Sequence, residues 1–244
     1  MPELDYGNIY SPNGSIIQHK YAQKAVDSGS TMIAMRSSRG AVMLVTKPIV
    51  SNLRVLENDH RIKKVASNVF MCYTGVLTDG LIIHDICKKA VRDYQSNFDS
   101  LISTQYFKKI LSEYLYIFTS NIGIRTIGAS IFTIVKEKDD YKLLFSDPTG
   151  KVSRWNACAA GAGERRAFTE LEKLNLEDMS LKEMIDQGIK ILYKSYDPLS
   201  DVKFEIEVGQ IGLETDGEFV RVNPIDISSI VEKYKNLSID GEDE

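Results

Sequence analysis

Three stretches of the sequence are apolar almost without interruption: Met32-Ile33-Ala34-Met35, Ala41 to Val45, and Ile131 to Val135. Side chains of a strand point alternately to its two faces, so a strand with one wet face alternates polar and apolar residues. A continuous run instead means a strand buried on both faces. The first two runs flank Arg36-Ser37-Ser38-Arg39-Gly40, a short polar connection with a glycine, which suits an antiparallel hairpin. Two covered faces plus antiparallel hairpins need helices on at least one side of each sheet.

The helices are readable from apolar residues recurring at steps of three and four. Ile83, Cys87, Ala90, Val91, Tyr94 and Phe98 form one such stripe, and Phe107, Ile110, Leu111, Tyr114, Leu115 and Phe118 a second, joined by a short loop. A third helix is predicted after Gly161-Ala162-Gly163, carrying Phe168, Leu171 and Leu174. A fourth starts at Ser180, whose partner Glu183 completes a capping-box pattern ahead of Leu181, Met184, Ile185, Leu192 and Tyr193. A fifth opens after Pro224 and carries Ile227, Ile230, Val231, Tyr234 and Leu237. Strands in blocks and helices in pairs do not make βαβ units, so a doubly wound parallel sheet is disfavoured. The expected fold is α+β: a four-layer αββα sandwich of two antiparallel sheets flanked by helix pairs. Neither an internal repeat nor a Pro/Gly/Ser-rich linker divides the chain, so residues 1–244 are read as a single domain, loose only at its two ends.

Composition removes several functional classes. Thirty basic against 34 acidic residues give a formal charge of −4. A protein that works on nucleic acid or on an anionic membrane needs a basic face, and no such excess exists here. The last five residues carry four of the carboxylates, which leaves a body with 30 charges of each sign. Cys72, Cys87 and Cys158 are too few and too far apart for a disulfide framework or a Cys-x-x-Cys metal half-site, and a reducing compartment is expected. The acidic start is unlike a secretory signal, and no run of about 18 apolar residues could span a bilayer.

Local motifs for chemistry are weak. Gly161-Ala162-Gly163-Glu164-Arg165-Arg166 follows a strand and opens a helix, a setting that can offer N–H groups to a phosphate, but it lacks the further glycine and the Gly-Lys-Ser/Thr ending. It is read as a tight turn. His19, His60 and His84 have no ligand spacing for zinc, and no cofactor or metal is expected. The Gly-x-Ser-x-Gly elbow of hydrolases is absent. Trp155 and the tyrosines are read as packing residues.

Taken in order, the segments resemble one family, the 20S proteasome subunits, and within it the alpha type. Ser11-Pro12-Asn13-Gly14, then Gln18-His19-Lys20-Tyr21-Ala22 and Ala25-Val26, are similar to its Phe-Ser-Pro-x-Gly-Arg and Gln-Val-Glu-Tyr-Ala signature. Gly75-Val76-Leu77-Thr78-Asp79, Arg125-Thr126-Ile127-Gly128, Asp147-Pro148-Thr149-Gly150 and Ala160-Gly161-Ala162-Gly163 follow at the family's spacing. Ala25-Val26-Asp27-Ser28, Glu170-Leu171-Glu172-Lys173-Leu174 and the acidic C-terminus look most like the acidic-tailed seventh alpha paralogue. Ser15 stands where the family has Arg, and His19-Lys20 where it has Val-Glu.

The resemblance implies the sandwich already expected, of the Ntn-hydrolase kind. Catalytic beta-type relatives use an N-terminal threonine whose free amine acts as base, supported by a lysine and an aspartate. Here the corresponding strand starts at Gly29-Ser30-Thr31 behind a helix-forming segment, the aspartate place falls at Thr46 and the lysine place at Arg61. A guanidinium does not give up its proton near neutral pH. The implied function is therefore a non-catalytic alpha-ring subunit: ring scaffold, substrate gate and activator dock in ubiquitin-dependent protein degradation. The alternatives are a catalytic N-terminal threonine hydrolase of the beta type and a stand-alone binding protein.

The resemblance further implies a gating tail over residues 1–12, an N-terminal helix over 13–28 and an acidic tail over 238–244. Gate residues would be Asp5, Tyr6, Pro12 and Tyr21. Asp5-Tyr6 reverses the family's Tyr-Asp, so this subunit's share in the gate is expected to be smaller than its neighbours'. Arg61 occupies the position whose basic side chain receives the C-terminal carboxylate of an activator. A guanidinium can bind a carboxylate bidentately, and an inter-subunit or surface ion pair is the competing reading. Implied partners are the other alpha subunits of a heptameric ring, the beta subunits and the C-termini of regulatory particles, with no nucleic acid and no membrane. The implied location is the cytoplasm and the nucleus.

Overall fold

A computed structural model of the chain describes residues 9–51, 53, 59–121, 123–138, 140–196 and 203–240, side chains of 236–240 excepted. The predicted hairpin is formed by β1 (Met32–Arg36) and β2 (Gly40–Pro48), with Met32 opposite Val45 and Met35 opposite Val42. With β8 (Ala157–Ala160), β9 (Phe204–Gly212) and β10 (Val220–Arg221) they make a sheet in the order β10-β9-β2-β1-β8. The second sheet runs β3-β4-β5-β6-β7 and comprises β3 (Ile62–Ala66), β4 (Val69–Gly75), β5 (Ala129–Glu137), β6 (Asp140–Ser146) and β7 (Val152–Trp155). Every pairing in both sheets is antiparallel.

The continuous apolar runs are explained by where their alternate residues go. In β1, Met32 and Ala34 point into the layer between the sheets, whereas Ile33 and Met35 point outward to the helices. In β4, Phe70 and Cys72 face inward and Val69, Met71 and Tyr73 outward. The outward face of the second sheet is covered by α2 (Leu77–Phe98) and α3 (Thr104–Ser120), whose Ile83, Cys87, Val91, Phe107 and Leu111 are buried against it. The outward face of the first is covered by α4 (Glu164–Leu171), α5 (Leu181–Ser195) and α6 (Pro224–Asp240). Fully burying a side chain of Leu, Ile, Phe or Met contributes about 1.5–3 kcal/mol, so these three apolar layers dominate the stability of the fold.

Several expectations need adjusting. The outer layer on the first sheet holds three helices rather than a pair, because α6 returns along α5 and buries Ile227 and Tyr234 there. α4 stops at Leu171, and Leu174 packs on the same core from the loop beyond it. The fourth helix starts as read: Ser180 Oγ accepts from the Glu183 N–H, and Glu183 Oε2 accepts from the Ser180 N–H at 2.9 Å. Residues 238–240, expected in the acidic tail, carry helical backbone at the end of α6, and 241–244 lie outside the described residues.

The helix expected over 13–28 is α1 (Ile17–Asp27), shorter at both ends. Its start is delayed by the Ser11-Pro12-Asn13-Gly14 turn, in which the Gly14 N–H donates to Ser11 O at 2.8 Å and Gly14 sits at φ 77°. Proline suits the second position of such a turn and glycine the left-handed conformation that follows. The Asn13 side chain accepts from Ser15 N–H and Oγ, and the turn closes a Tyr10–Ile16 bridge. At the other end Ser28 leaves the helix, and Gly29 lies so close to Gly75 that a Cβ there would stand 2.4 Å from the Gly75 nitrogen.

Candidate functional site

Where a catalytic relative would expose its threonine, this chain locks its backbone on every side. Gly29 O accepts from the Ala162 N–H at 3.0 Å, Ser30 O from the Thr74 hydroxyl, and Thr31 O from both the N–H and the hydroxyl of Thr46 at 3.0 and 3.2 Å. The Thr31 hydroxyl itself accepts from the Gly163 N–H at 3.0 Å. The N–H groups of Ala162 and Gly163 in this turn are therefore used within the chain and not offered to a phosphate. Gly161 needs to be glycine: its φ is 95°, and a Cβ would meet Ser30 O at 2.2 Å. With α1 seated ahead of it on β4 and β5, the nitrogen of Thr31 is a mid-chain amide. The free amine that activates the hydroxyl in an N-terminal threonine hydrolase is therefore missing.

The three positions carried over from the catalytic relatives do meet in space. Thr31, Thr46 and Arg61 line one cavity of about 450 Å³, with Leu77, Leu192 and Phe204 as apolar walls. Arg61 is 5% exposed. Its Nη2 lies 3.7 Å from Asp59 Oδ2, while its Nε is buried without a hydrogen-bond partner among the described residues. A buried donor of a permanent cation without an acceptor is costly, and a carboxylate oxygen is its natural complement.

The backbone that carries Arg61 is held by a side chain from the other sheet. Glu207 of β9 accepts from the Arg61 N–H at 2.8 Å and from the Ile62 N–H at 3.3 Å. Its carboxylate, 8% exposed, also lies 3.6 Å from Arg221 Nε and 3.6 Å from His60 Nδ1. Arg221 in turn donates to Ile62 O at 2.7 Å. Burial pushes the Cys72 thiol well above the thiol range, the Glu207 carboxylate pushes it further and Arg61 opposes both. Burial also raises Cys87, to about 12, and Cys158, so none of the three is a nucleophile.

A second clamp joins two of the family-like segments. Asp79, in the first turn of α2 and 3% exposed, receives Arg125 bidentately, with Nη2 at 2.6 Å from Oδ1, and the Gly128 N–H at 2.9 Å. Burial works to raise this carboxyl, but the Arg125 and Gly128 hydrogen bonds outweigh it and leave it below the usual range.

Of the gate residues, Pro12 lies exposed in the turn and Tyr21 exposed on α1 with Lys24 Nζ 5.7 Å from its ring centre, while Asp5 and Tyr6 lie outside the described residues. Sequence reasoning missed Glu207 and the Asp79–Arg125 pair. Asp79 and Arg125 each stood in a quoted segment, so their pairing was open to inspection. Glu207 left no signal, being 146 residues from the amide that it holds. Among the described residues no helix is long and apolar enough to cross a membrane, and no group of three His, Cys, Asp or Glu could hold a metal ion.

Comparison with known proteins adds four findings. Residues 26–211 match the sequence profile of a family described as proteasome subunit. The chain is 38% identical over 240 residues to the probable proteasome subunit alpha type-7 of Encephalitozoon cuniculi, covering 98% of this chain and 99% of that one. It is 30% identical over 240 residues to the probable alpha type-7 subunit of Schizosaccharomyces pombe, covering 98% and 94%. It is 29% identical over 235 residues to the proteasome subunit alpha type-3 of Drosophila melanogaster, covering 96% and 92%.

Proposed function

The chain belongs to the proteasome subunit family, and from that membership we propose how its parts work in the particle. It is an alpha-type subunit, a non-catalytic ring component of the 20S core of a threonine-protease complex, and it assembles with other proteasome subunits. The observation that carries the non-catalytic reading is the place of Thr31 behind α1, where its nitrogen is a peptide amide and its hydroxyl is held by the Gly163 N–H, so the free amine that would serve as base is missing.

In this reading the partners are alpha neighbours in a heptameric ring, beta subunits below and activator C-termini above. Residues 1–12 serve as the gate segment with Asp5, Tyr6, Pro12 and Tyr21, and the Ser11–Ser15 turn sets the direction in which that segment leaves α1. Arg61 receives a terminal carboxylate, a role supported by its unpartnered Nε and by the apolar walls of its cavity. The chain works in the cytoplasm and the nucleus, and its three unpaired thiols fit a reducing compartment.

Affinity purification of the tagged chain followed by native mass spectrometry tests the assembly. The expected result is recovery in a particle of several hundred kilodaltons with companions of both alpha and beta type. A free 27.5 kDa monomer in extract would contradict it.

A further inference from the structure

The Glu207 side chain is 8% exposed, and its carboxylate binds the backbone of Arg61 without pairing with the Arg61 guanidinium. Its oxygens go to two backbone N–H groups at the point where the chain enters β3, and its side-chain neighbours are Arg221 and His60. No ion pair within 4 Å joins it to the Arg61 guanidinium among the described residues, which is left with Asp59 at 3.7 Å and an unpartnered Nε. An oxygen fork from one sheet therefore fixes the main chain of the other at the residue whose side chain lines the cavity.

We propose that Glu207 is the positioning residue of the carboxylate-docking cavity. It holds the Arg61 backbone so that the guanidinium is presented to the cavity, and it satisfies itself on amides so that the guanidinium stays available for an incoming carboxylate. The inference rests on the reading of Arg61 as the carboxylate receptor. Replacing the carboxylate by an amide in Glu207→Gln keeps the shape but turns one of the two acceptors into a donor facing a backbone N–H, so the fork loses one prong.

The test uses assembled particles and two probes: a glycine-serine peptide ending in photo-leucine with a free C-terminal carboxylate, and the same peptide amidated. Photocross-linking to this subunit is read by mass spectrometry. Wild-type particles should prefer the carboxylate peptide, and Arg61→Ala should abolish the preference. Glu207→Gln should raise the half-saturating concentration of the carboxylate peptide about tenfold while leaving the amide peptide unchanged. Equal loss with both peptides would mark Glu207 as merely structural and overturn the inference, as would a Glu207→Gln preference equal to wild type beside a lost preference in Arg61→Ala. An Arg61→Ala particle that keeps the wild-type preference would overturn the receptor reading itself. Should Glu207→Gln fail to enter the particle, Glu207→Asp, which keeps the charge but shortens the reach, should show an intermediate loss of preference, and an undiminished preference would again overturn the inference.

Discussion

Single residues decide what this chain can no longer do. A threonine, a threonine and an arginine stand around one cavity, and each is unsuited to its place: Thr31 is acylated within the chain, Thr46 binds a carbonyl, and Arg61 cannot shuttle a proton. The same scale carries a stability prediction at Asp79. Removing the buried Asp79 carboxylate strands the buried Gly128 N–H and releases an Arg125 side chain that is 62% exposed, so Asp79→Ala should destabilise the free subunit by about 1–3 kcal/mol in urea unfolding. Because the folded state holds this carboxyl below the unfolded value near 4, its contribution is complete above about pH 4 and falls away as acid titrates it through the lower folded value. Asp79→Asn should therefore flatten the acid limb of stability against pH; an unchanged limb would show that the pair contributes nothing. Legibility in the sequence followed the same logic. The places of Thr46 and Arg61 could be carried over from a family pattern, whereas Glu207 sits in an alternating strand and looks like one more solvent-facing charge.

At the scale of elements, the chain's alternation of strand blocks and helix groups was readable because each stripe keeps its period. The double burial of β1, β2 and β5 was readable because their runs lack a polar face. Boundaries were less so. The start of α1 depends on the side chain of Asn13 binding Ser15, and the third helix of the outer layer depends on α6 folding back onto α5, neither of which periodicity records. The seat of α1 depends on close backbone approach through Gly29 and Gly75. Gly29→Ala would place a Cβ 2.4 Å from a backbone nitrogen, an overpacking that should cost about 1–3 kcal/mol and loosen the helix. Hydrogen exchange should then accelerate over residues 17–27 and stay unchanged over 181–195, and equal protection in both variants would contradict the packing account.

For the whole molecule, the four layers leave one end of the sandwich occupied by α1 and the turn ahead of it. If Tyr21 helps to hold the gate open, Tyr21→Ala should lower activator-stimulated peptide hydrolysis by about twofold through a smaller population of open gates, and an unchanged stimulated rate would contradict that role. The near-equal charge of the body, 30 acidic against 30 basic residues before the last five, suits flanks buried against neighbouring subunits. The claim on which all of this stands is that the chain builds the particle without cutting peptides in it. Purified particles treated with a threonine-directed inhibitor, followed by intact-mass measurement of each subunit, test it most directly. This chain should retain residues 17–27 ahead of Thr31 and carry no adduct while other subunits do; a mature form beginning at Ser30 or Thr31 and bearing the inhibitor would contradict the account.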